Sequence, residues 1–157
     1  MCLEKQKKKL LYYIMTIITD GNIHELVRTY LGNPTELPED LRNISKWDVS
    51  KVTIMSNLFE EAEMFNERLN DWDVSNVTSM RSMFWGAENF NQSLNNWDVS
   101  NVTDMGNMFF NAKNFNQPLD KWIVSKVINM ENMFTFAKKF NQPLNKWKVS
   151  KVTNMRE

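Results

Sequence analysis

A short motif that begins with tryptophan recurs every 25 residues in the second part of this 157-residue chain. The motif reads Trp-x-Val-Ser and begins at Trp47, Trp72, Trp97, Trp122 and Trp147. A fixed period of about 20–29 residues is typical of proteins that stack small units, each of which buries its apolar side against its neighbours. The period therefore predicts a repeat solenoid.

The same chemistry recurs at ten positions of each repeat, which indicates ten repeated environments. In the repeat that begins at Trp72, the sequence Trp-Asp-Val alternates apolar and polar residues and predicts a short strand. After it, apolar residues follow at steps of three and four, which predicts a short helix that Ser75 or Thr78 would cap. The predicted fold class is an α/β repeat solenoid of the leucine-rich-repeat-like kind, with one short strand and one short helix per repeat. The helix positions in this repeat are Val77, Met80, Met83 or Phe84, and Ala87.

The chain divides into three parts. Residues 1–20 are predicted to be a helical or disordered extension, and residues 21–46 a leader helix and cap. The helix is expected over residues 22–31, because Ile23, Leu26, Val27 and Tyr30 share one face and Asp20 or Asn22 could cap it. The repeats occupy residues 47–157 as four full units and one partial unit: 47–71, 72–96, 97–121, 122–146 and 147–157.

Composition limits the class of protein. The formal net charge is zero, so no overall field attracts nucleic acid, and none is expected as a partner. The lone Cys2 excludes an intramolecular disulfide. Lysines and then an apolar run precede Ile18, but the run is shorter than the roughly 20 residues that span a bilayer. No transmembrane segment is therefore expected. The missing cleavage site of a signal peptide favours an intracellular protein, and a translation start at Met15 is an alternative.

The repeat consensus carries a resemblance to a known family. The pattern Trp-Asp-Val-Ser-Asn-Val-Thr-x-Met-x-x-Met-Phe-x-x-Ala-x-x-Phe-Asn-Gln-x-Leu occurs from Trp72 to Leu94 and from Trp97 to Leu119. It resembles the BspA-like leucine-rich-repeat surface proteins, including the 25-residue repeat of mycoplasma surface lipoproteins. The resemblance covers about residues 43–157. It implies a non-enzymatic surface or interaction protein and therefore a cell-surface location, and it transfers no catalytic residue.

Catalytic chemistry finds little support in the sequence. His24 is the only histidine, and a nucleophile needs a base beside it. With four glycines in all, the chain has no phosphate-binding loop of the usual kinds. No catalytic residue, cofactor site or metal site is predicted, and the chain is expected not to be an enzyme.

The predicted partner-binding surface is the outward position of each strand, with the polar residues beside it. We call the first set the outward column: Asp48, Asp73, Asp98, Ile123 and Lys148. Its flanking residues are Asp71, Asn96, Lys121 and Lys146. The aspartates could contact a basic partner or a cation, or they could be solvated or accept hydrogen bonds in a turn.

Two other columns are predicted to be structural ladders. The tryptophans alternate with valine, which favours burial. The asparagines Asn66, Asn91, Asn116 and Asn141 recur in a turn, where their amides can pair with backbone groups. Exposed tryptophans would instead support an alternative function as a surface-adhesion or carbohydrate-binding module.

Charge is divided unevenly along the repeats. Residues 47–96 hold eight acids and three bases, whereas residues 97–157 hold five acids and nine bases. The sequence ends within a fifth unit, so an apolar, basic C-terminal edge is predicted to be open. The leading hypothesis is a protein-binding module of unknown partner that uses its outward column. A self-assembling structural protein that joins head to tail through the C-terminal edge is an alternative.

Overall fold

The structure, a computed structural model, describes residues 17–156. Their only α-helix, α1, spans Ile23–Gly32 and places Ile23, Leu26 and Val27 in the core, with Tyr30 partly buried. The predicted leader helix is therefore confirmed, one residue later at each end. Most of the 1–20 extension lies outside the described residues, as do Cys2 and Met15.

Three short 3-10 helices connect α1 to the repeats. They span Pro34–Glu36, Glu39–Leu41 and Ile44–Lys46. The side chains of Asn33 and Asn43 accept hydrogen bonds from the backbone amides two residues later, which is the usual way an asparagine begins a turn. Leu37, Leu41 and Ile44 are buried, so the connector extends the core from α1 to the first repeat.

The predicted strands are wrong. Within the described residues no strand or sheet forms, and the extended Trp-x-Val segments pair with no neighbour as a ladder. Adjacent repeats instead meet at one isolated parallel bridge each, two positions after the second valine of the motif. The bridged residues are Ile54, Ser79, Asp104, Asn129 and Asn154. Alternate burial of tryptophan and valine needs only an extended backbone, which explains why the period of two misled the prediction.

The predicted helices within the repeats are also wrong, and the residues form consecutive turns. In the repeat 47–71, the amides of Leu58, Glu60 and Ala62 each donate to the carbonyl three residues earlier. The alternate amides, those of Asn57, Phe59 and Glu61, donate to carbonyls of the next repeat. Half of the backbone donors that a helix would use internally therefore join one repeat to the next. The α/β repeat solenoid of the leucine-rich-repeat-like kind is consequently contradicted.

A backbone conformation repeated twice in each unit prevents a helix here. Two positions four residues apart have φ between 51° and 69°, in the left-handed region. These residues occupy the third place of a hydrogen-bonded turn, where Gly and Asn are favoured. A right-handed helix cannot pass through such residues. The two columns are Asn57, Ser82, Asn107 and Asn132, and Glu61, Gly86, Asn111 and Phe136. Ser75 and Thr78 consequently cap no helix.

Gly86 provides a direct test of this turn geometry. Its φ is +69°, and a Cβ added there would meet Glu61 Cα at an ordinary 3.5 Å, so the cost comes from the backbone. We expect Gly86→Ala to lower the free energy of unfolding by about 1 kcal/mol. Gly32→Ala is the control, because Gly32 ends α1, lies outside the left-handed region and has open space beside it. There alanine should be neutral or stabilising. Urea unfolding that shows equal losses for both variants would contradict the turn geometry.

The core consists of stacked side chains in register. Phe59, Phe84, Phe109 and Phe134 stack with ring centroids 5.4–5.6 Å apart. A second phenylalanine column, 65, 90, 115 and 140, stacks at 5.9–6.0 Å, and the two columns touch at 4.1 Å within each repeat. Aromatic pairs in contact contribute beyond their buried area. The interior is therefore one continuous aromatic and aliphatic column.

Asp20 completes the backbone pairing at the N-terminal end. In later repeats the threonine amide donates to a carbonyl of the preceding repeat, as Thr78 N does to Thr53 O. Thr53 has no preceding repeat, and its amide, its hydroxyl and the amide of Ile54 donate to the Asp20 carboxylate. Asn22 occupies the N-cap position of α1, as one of the two predicted alternatives, but its side chain makes no capping hydrogen bond, and Asp20 is not the cap. Asp20 instead supplies the hydrogen-bond acceptors that a preceding repeat supplies in the later units.

Asp20→Ala should lower the free energy of unfolding at pH 7 by about 1 kcal/mol, because the amides of Thr53 and Ile54 lose a charged acceptor at a partly exposed site. Partial burial raises the pKa of Asp20, but the Thr53 and Ile54 hydrogen bonds lower that pKa below its ordinary value. The contribution is thus complete above the unfolded pKa of about 3.9 and is lost as pH falls through the folded pKa. Urea midpoints at several pH values should converge for wild type and variant in acid. A pH-independent difference would contradict this role. The exposed Asp71→Ala is the control.

Candidate partner-binding surfaces

The outward column occupies one equivalent position in five repeats, and all five side chains are exposed. Each lies between a tryptophan and a valine, and in the first four repeats both of these neighbours are buried. Ile123 is 61% exposed, an unusual environment for an isoleucine. The column thus presents a line of acidic, apolar and then basic side chains, although no ladder of strand hydrogen bonds supports it.

The aspartates of the column also have a local role. In each, Oδ1 accepts from the backbone amide of the serine two residues later, at 3.0–3.1 Å. The hydroxyl and amide of Ser50 lower the pKa of Asp48 below its usual range, and those of Ser100 do the same for the pKa of Asp98. All three carboxylates therefore accept hydrogen bonds in turns, and these bonds favour the ionised form of Asp48 and Asp98. These bonds use Oδ1 of each aspartate.

Three of the four flanking residues form side-chain contacts across repeats, and Asp71 forms one within its own repeat. Lys121 Nζ lies 3.4 Å from Asn96 Oδ1, and Lys146 Nζ lies 3.0 Å from Asp120 Oδ2. Hydrogen bonds from Lys146 and Asn95 lower the pKa of Asp120. Asp71 lies 3.9 Å from Arg68, and both side chains are largely exposed. Each of the four flanking side chains therefore contacts a polar or charged neighbour, but only Lys121 and Asn96 contact each other.

The tryptophan column lies inside the molecule. Trp47, Trp72, Trp97 and Trp122 are 3–4% exposed, and only Trp147 is partly open. Each indole Nε1 donates to a backbone carbonyl of the preceding part of the chain at 2.8–3.0 Å. A carbohydrate-binding platform needs exposed indole faces. These four side chains do not offer them.

The asparagine column links successive repeats through its side chains. Asn66 Oδ1 accepts from the backbone amide of Asn91, Asn91 Oδ1 from Asn116, and Asn116 Oδ1 from Asn141, each at 2.9 Å. A glutamine side chain adds a second bond to each acceptor. These amides satisfy backbone donors in the turn, so they serve the stack and are occupied.

A row of polar side-chain contacts beside the bridges was not predicted from the sequence. Ser56 and Ser79 hydroxyls lie 2.8 Å apart. Asp104 accepts from Asn129 at 2.9 Å and lies 3.9 Å from Arg81. Further along, Asn154 donates to Glu131. The residue types differ from repeat to repeat, so a search for constant columns could not find them. The contacting residues lie 23 or 25 positions apart, so the register of neighbouring repeats brings them together.

The C-terminal edge is the surface formed by residues 130–156. A groove of about 680 Å³ opens there. Val149 is 38% exposed and Met155 57%, whereas their counterparts in the first three repeats are at most 1% exposed. The edge is thus apolar and open in the described residues. The groove is lined by Met130, Asn132, Met133, Phe134, Thr135, Phe136, Leu144, Trp147, Val149, Met155 and Arg156.

The remaining polar residues offer little chemistry within the described part of the chain. His24 Nε2 lies 2.9 Å from the carbonyl oxygen of Ser56, a contact that holds α1 on the first repeat. Among residues 17–156, no three His, Cys, Asp or Glu side chains lie close enough together to hold a metal ion. No helix in this range has the length and apolar character needed to span a membrane.

Comparison with known proteins gives one family. No curated protein and no solved structure matches the chain. One family model matches twice, over residues 32–135 and 93–157, and the two matches together cover all the repeats. The chain therefore belongs to the family described as "Mycoplasma protein of unknown function, DUF285".

Proposed function

We propose that this chain is a non-enzymatic protein-binding repeat protein whose contact surface is the outward column. The observation that carries the proposal is the exposure of Ile123. The outward position varies between repeats, whereas the tryptophan before it and the valine after it are the same in all five. A position that changes from Asp to Ile to Lys, on a stack that keeps its interior, is free to match a partner. Exposed apolar and charged groups in one line suit a protein surface, where an apolar centre is surrounded by polar groups.

The absence of catalysis is part of the same proposal. It is supported by the environment of His24, whose Nε2 faces a backbone carbonyl rather than a hydroxyl or thiol. A general base must lie within hydrogen-bond reach of the proton it takes. Asp48 and Asp98 of the outward column have lowered pKa values because they accept hydrogen bonds in turns, which suits recognition better than proton transfer.

The resemblance to BspA-like surface proteins adds a proposal about place. It concerns the repeat consensus and the surface role alone, because the leucine-rich-repeat fold is contradicted. A partner outside the cell would follow from it. Capture experiments should therefore use a cell-surface extract as well as a cytosolic extract.

The test replaces the three aspartates by asparagine: Asp48→Asn, Asp73→Asn and Asp98→Asn together. Asparagine retains an oxygen for the serine amides, so the turns survive while three charges are lost. The control, Glu25→Gln with Glu36→Gln and Glu39→Gln, removes three charges from the exposed helix and connector that precede the repeats. Affinity capture with mass spectrometry should give the same partner for wild type and control, and little or none for the aspartate variant. Equal capture by all three proteins would place the contact away from the outward column.

A further inference from the structure

The C-terminal edge repeats a surface that each earlier unit presents to its successor. The valine, methionine and phenylalanine columns are closed in the first three repeats by the unit that follows. In the last described residues the same columns border the open groove. An apolar surface of this kind, rimmed by polar residues, marks an interaction site.

Backbone donors at this edge lack acceptors. In each earlier repeat, two backbone amides donate to the next repeat: that of the first phenylalanine and that of the residue two positions later. In the third repeat, Phe109 N donates to Met133 O and Asn111 N donates to Thr135 O. Within residues 17–156, no group accepts from the equivalent amides of Phe134 and Phe136. An unpaired amide beside an apolar surface favours a partner that supplies a carbonyl.

The opposite end of the stack carries matching acceptors. In the second, third and fourth repeats, the carbonyls equivalent to Leu58 O and Glu60 O accept hydrogen bonds from backbone amides of the preceding repeat. No described donor reaches these two carbonyls in the first repeat. Nearby, Met64 is 82% exposed, while α1 covers the part of this end around Trp47 and Ser56. The N-terminal end is thus covered by the helix on one side and bare at the turns.

The charges of the two ends are opposite. Residues 17–71 contain eleven acids and five bases, a net charge of −6. Residues 122–156 contain one acid, Glu131, and seven bases, a net charge of +6. Residues 1–16, outside the described part, add four lysines and one glutamate. Two C-terminal edges would repel each other, whereas a C-terminal edge and an N-terminal end attract.

We propose that the C-terminal edge docks the N-terminal end of a second copy of this chain, head to tail. The amides of Phe134 and Phe136 then donate to carbonyls of the second copy, and the apolar groove closes over its first-repeat turns. Lys148, Lys151 and Arg156 face the acidic turns of the first repeat. This interface shares Lys148 with the outward column and leaves the other four members, Asp48, Asp73, Asp98 and Ile123, exposed. Because the two surfaces differ, the contact does not close on itself, and further copies can add.

The experiment measures the mass of the chain in solution by size exclusion with light scattering, in reducing buffer because Cys2 could cross-link copies. Wild type should exceed the 18.6 kDa of one copy, rise with concentration and return toward it at high salt. Two variants test the surfaces: a tail variant, Lys148→Glu with Lys151→Glu and Arg156→Glu, and a head variant, Glu60→Lys with Glu63→Lys and Glu67→Lys.

Each variant alone should remain at the mass of one copy, and an equimolar mixture should associate again, at about twice that mass or more. Recovery in the mixture also shows that both variants are folded. Tryptophan fluorescence and urea midpoints of each variant alone provide the independent check of folding. A wild type that stays at 18.6 kDa at every concentration and at low salt overturns the proposal. Association that survives the head variant overturns it as well, because the partner surface then lies elsewhere.

Discussion

Replacement of Phe84 by alanine should lower the free energy of unfolding by about 3–5 kcal/mol, because the ring is removed from a closed core. Phe84 is fully buried, stacks on Phe59 and Phe109 at 5.4 and 5.6 Å, and touches Phe90 at 4.1 Å. The loss therefore affects three repeats at once. Urea unfolding followed by tryptophan fluorescence measures it, provided that the slope stays unchanged.

Phe134→Ala is the matched control, because Phe134 is the last ring of the same column. It stacks on Phe109 at 5.6 Å, no later ring of the column lies on it among residues 17–156, and it borders the open groove. A cavity open to solvent costs less than an enclosed one, so its loss should be clearly smaller. Equal losses would mean that the last described repeat is covered in solution, which would fit docking of a second copy if they appear only at high concentration.

Trp97→Phe should cost about 2–3 kcal/mol, the second largest effect. The ring of Trp97 is 3% exposed, and its Nε1 donates to Leu69 O at 2.8 Å. Phenylalanine keeps an aromatic ring but removes a net hydrogen bond of about 1 kcal/mol and leaves a small void. The Leu69 carbonyl keeps a second donor, the amide of Trp72, which limits the loss.

Trp147→Phe removes the equivalent hydrogen bond at a site that is partly exposed to solvent. Its Nε1 donates to Leu119 O at 3.0 Å, but the ring borders the groove and water can replace the lost donor. The expected loss is about 1 kcal/mol or less. A loss for Trp147→Phe as large as that for Trp97→Phe would show that burial contributes little to the role of the tryptophan column.

The 25-residue period by itself determined which residues meet. Side chains in one column lie in contact because the chain returns to the same place once per repeat. The tryptophan rings of neighbouring repeats, such as Trp122 and Trp147 at 6.2 Å, and the Asn66 and Asn91 contact both follow from that register alone. The helix α1 was also readable, since Ile23, Leu26 and Val27 share one face and nothing else competes for its backbone donors.

Only the tertiary structure decided what the backbone does between those columns. Steps of three and four between apolar residues suit a helix, but they also suit consecutive turns that keep the same side chains inside. The choice depends on where alternate amides donate, and the carbonyls they reach, such as Met83 O for Phe59 N, belong to the next repeat. A local pattern holds no information about that neighbour. The left-handed residues that enforce the turns include Ser82, Glu61 and Phe136, which local propensity would not place there.

The two ends of the stack also differ in how far the sequence alone predicted them. The period placed Val149 and Met155 in the last described turn of their columns, where the structure leaves both side chains exposed. It gave no sign that Asp20 would replace a missing carbonyl at the other end, since 33 residues separate it from Thr53. The contact forms because α1 packs on the first repeat and brings Asp20 near the amides of Thr53 and Ile54. No preceding repeat pairs with these two amides. Sequence spacing therefore fixed the columns, and the requirement to pair every buried backbone group fixed the path between them.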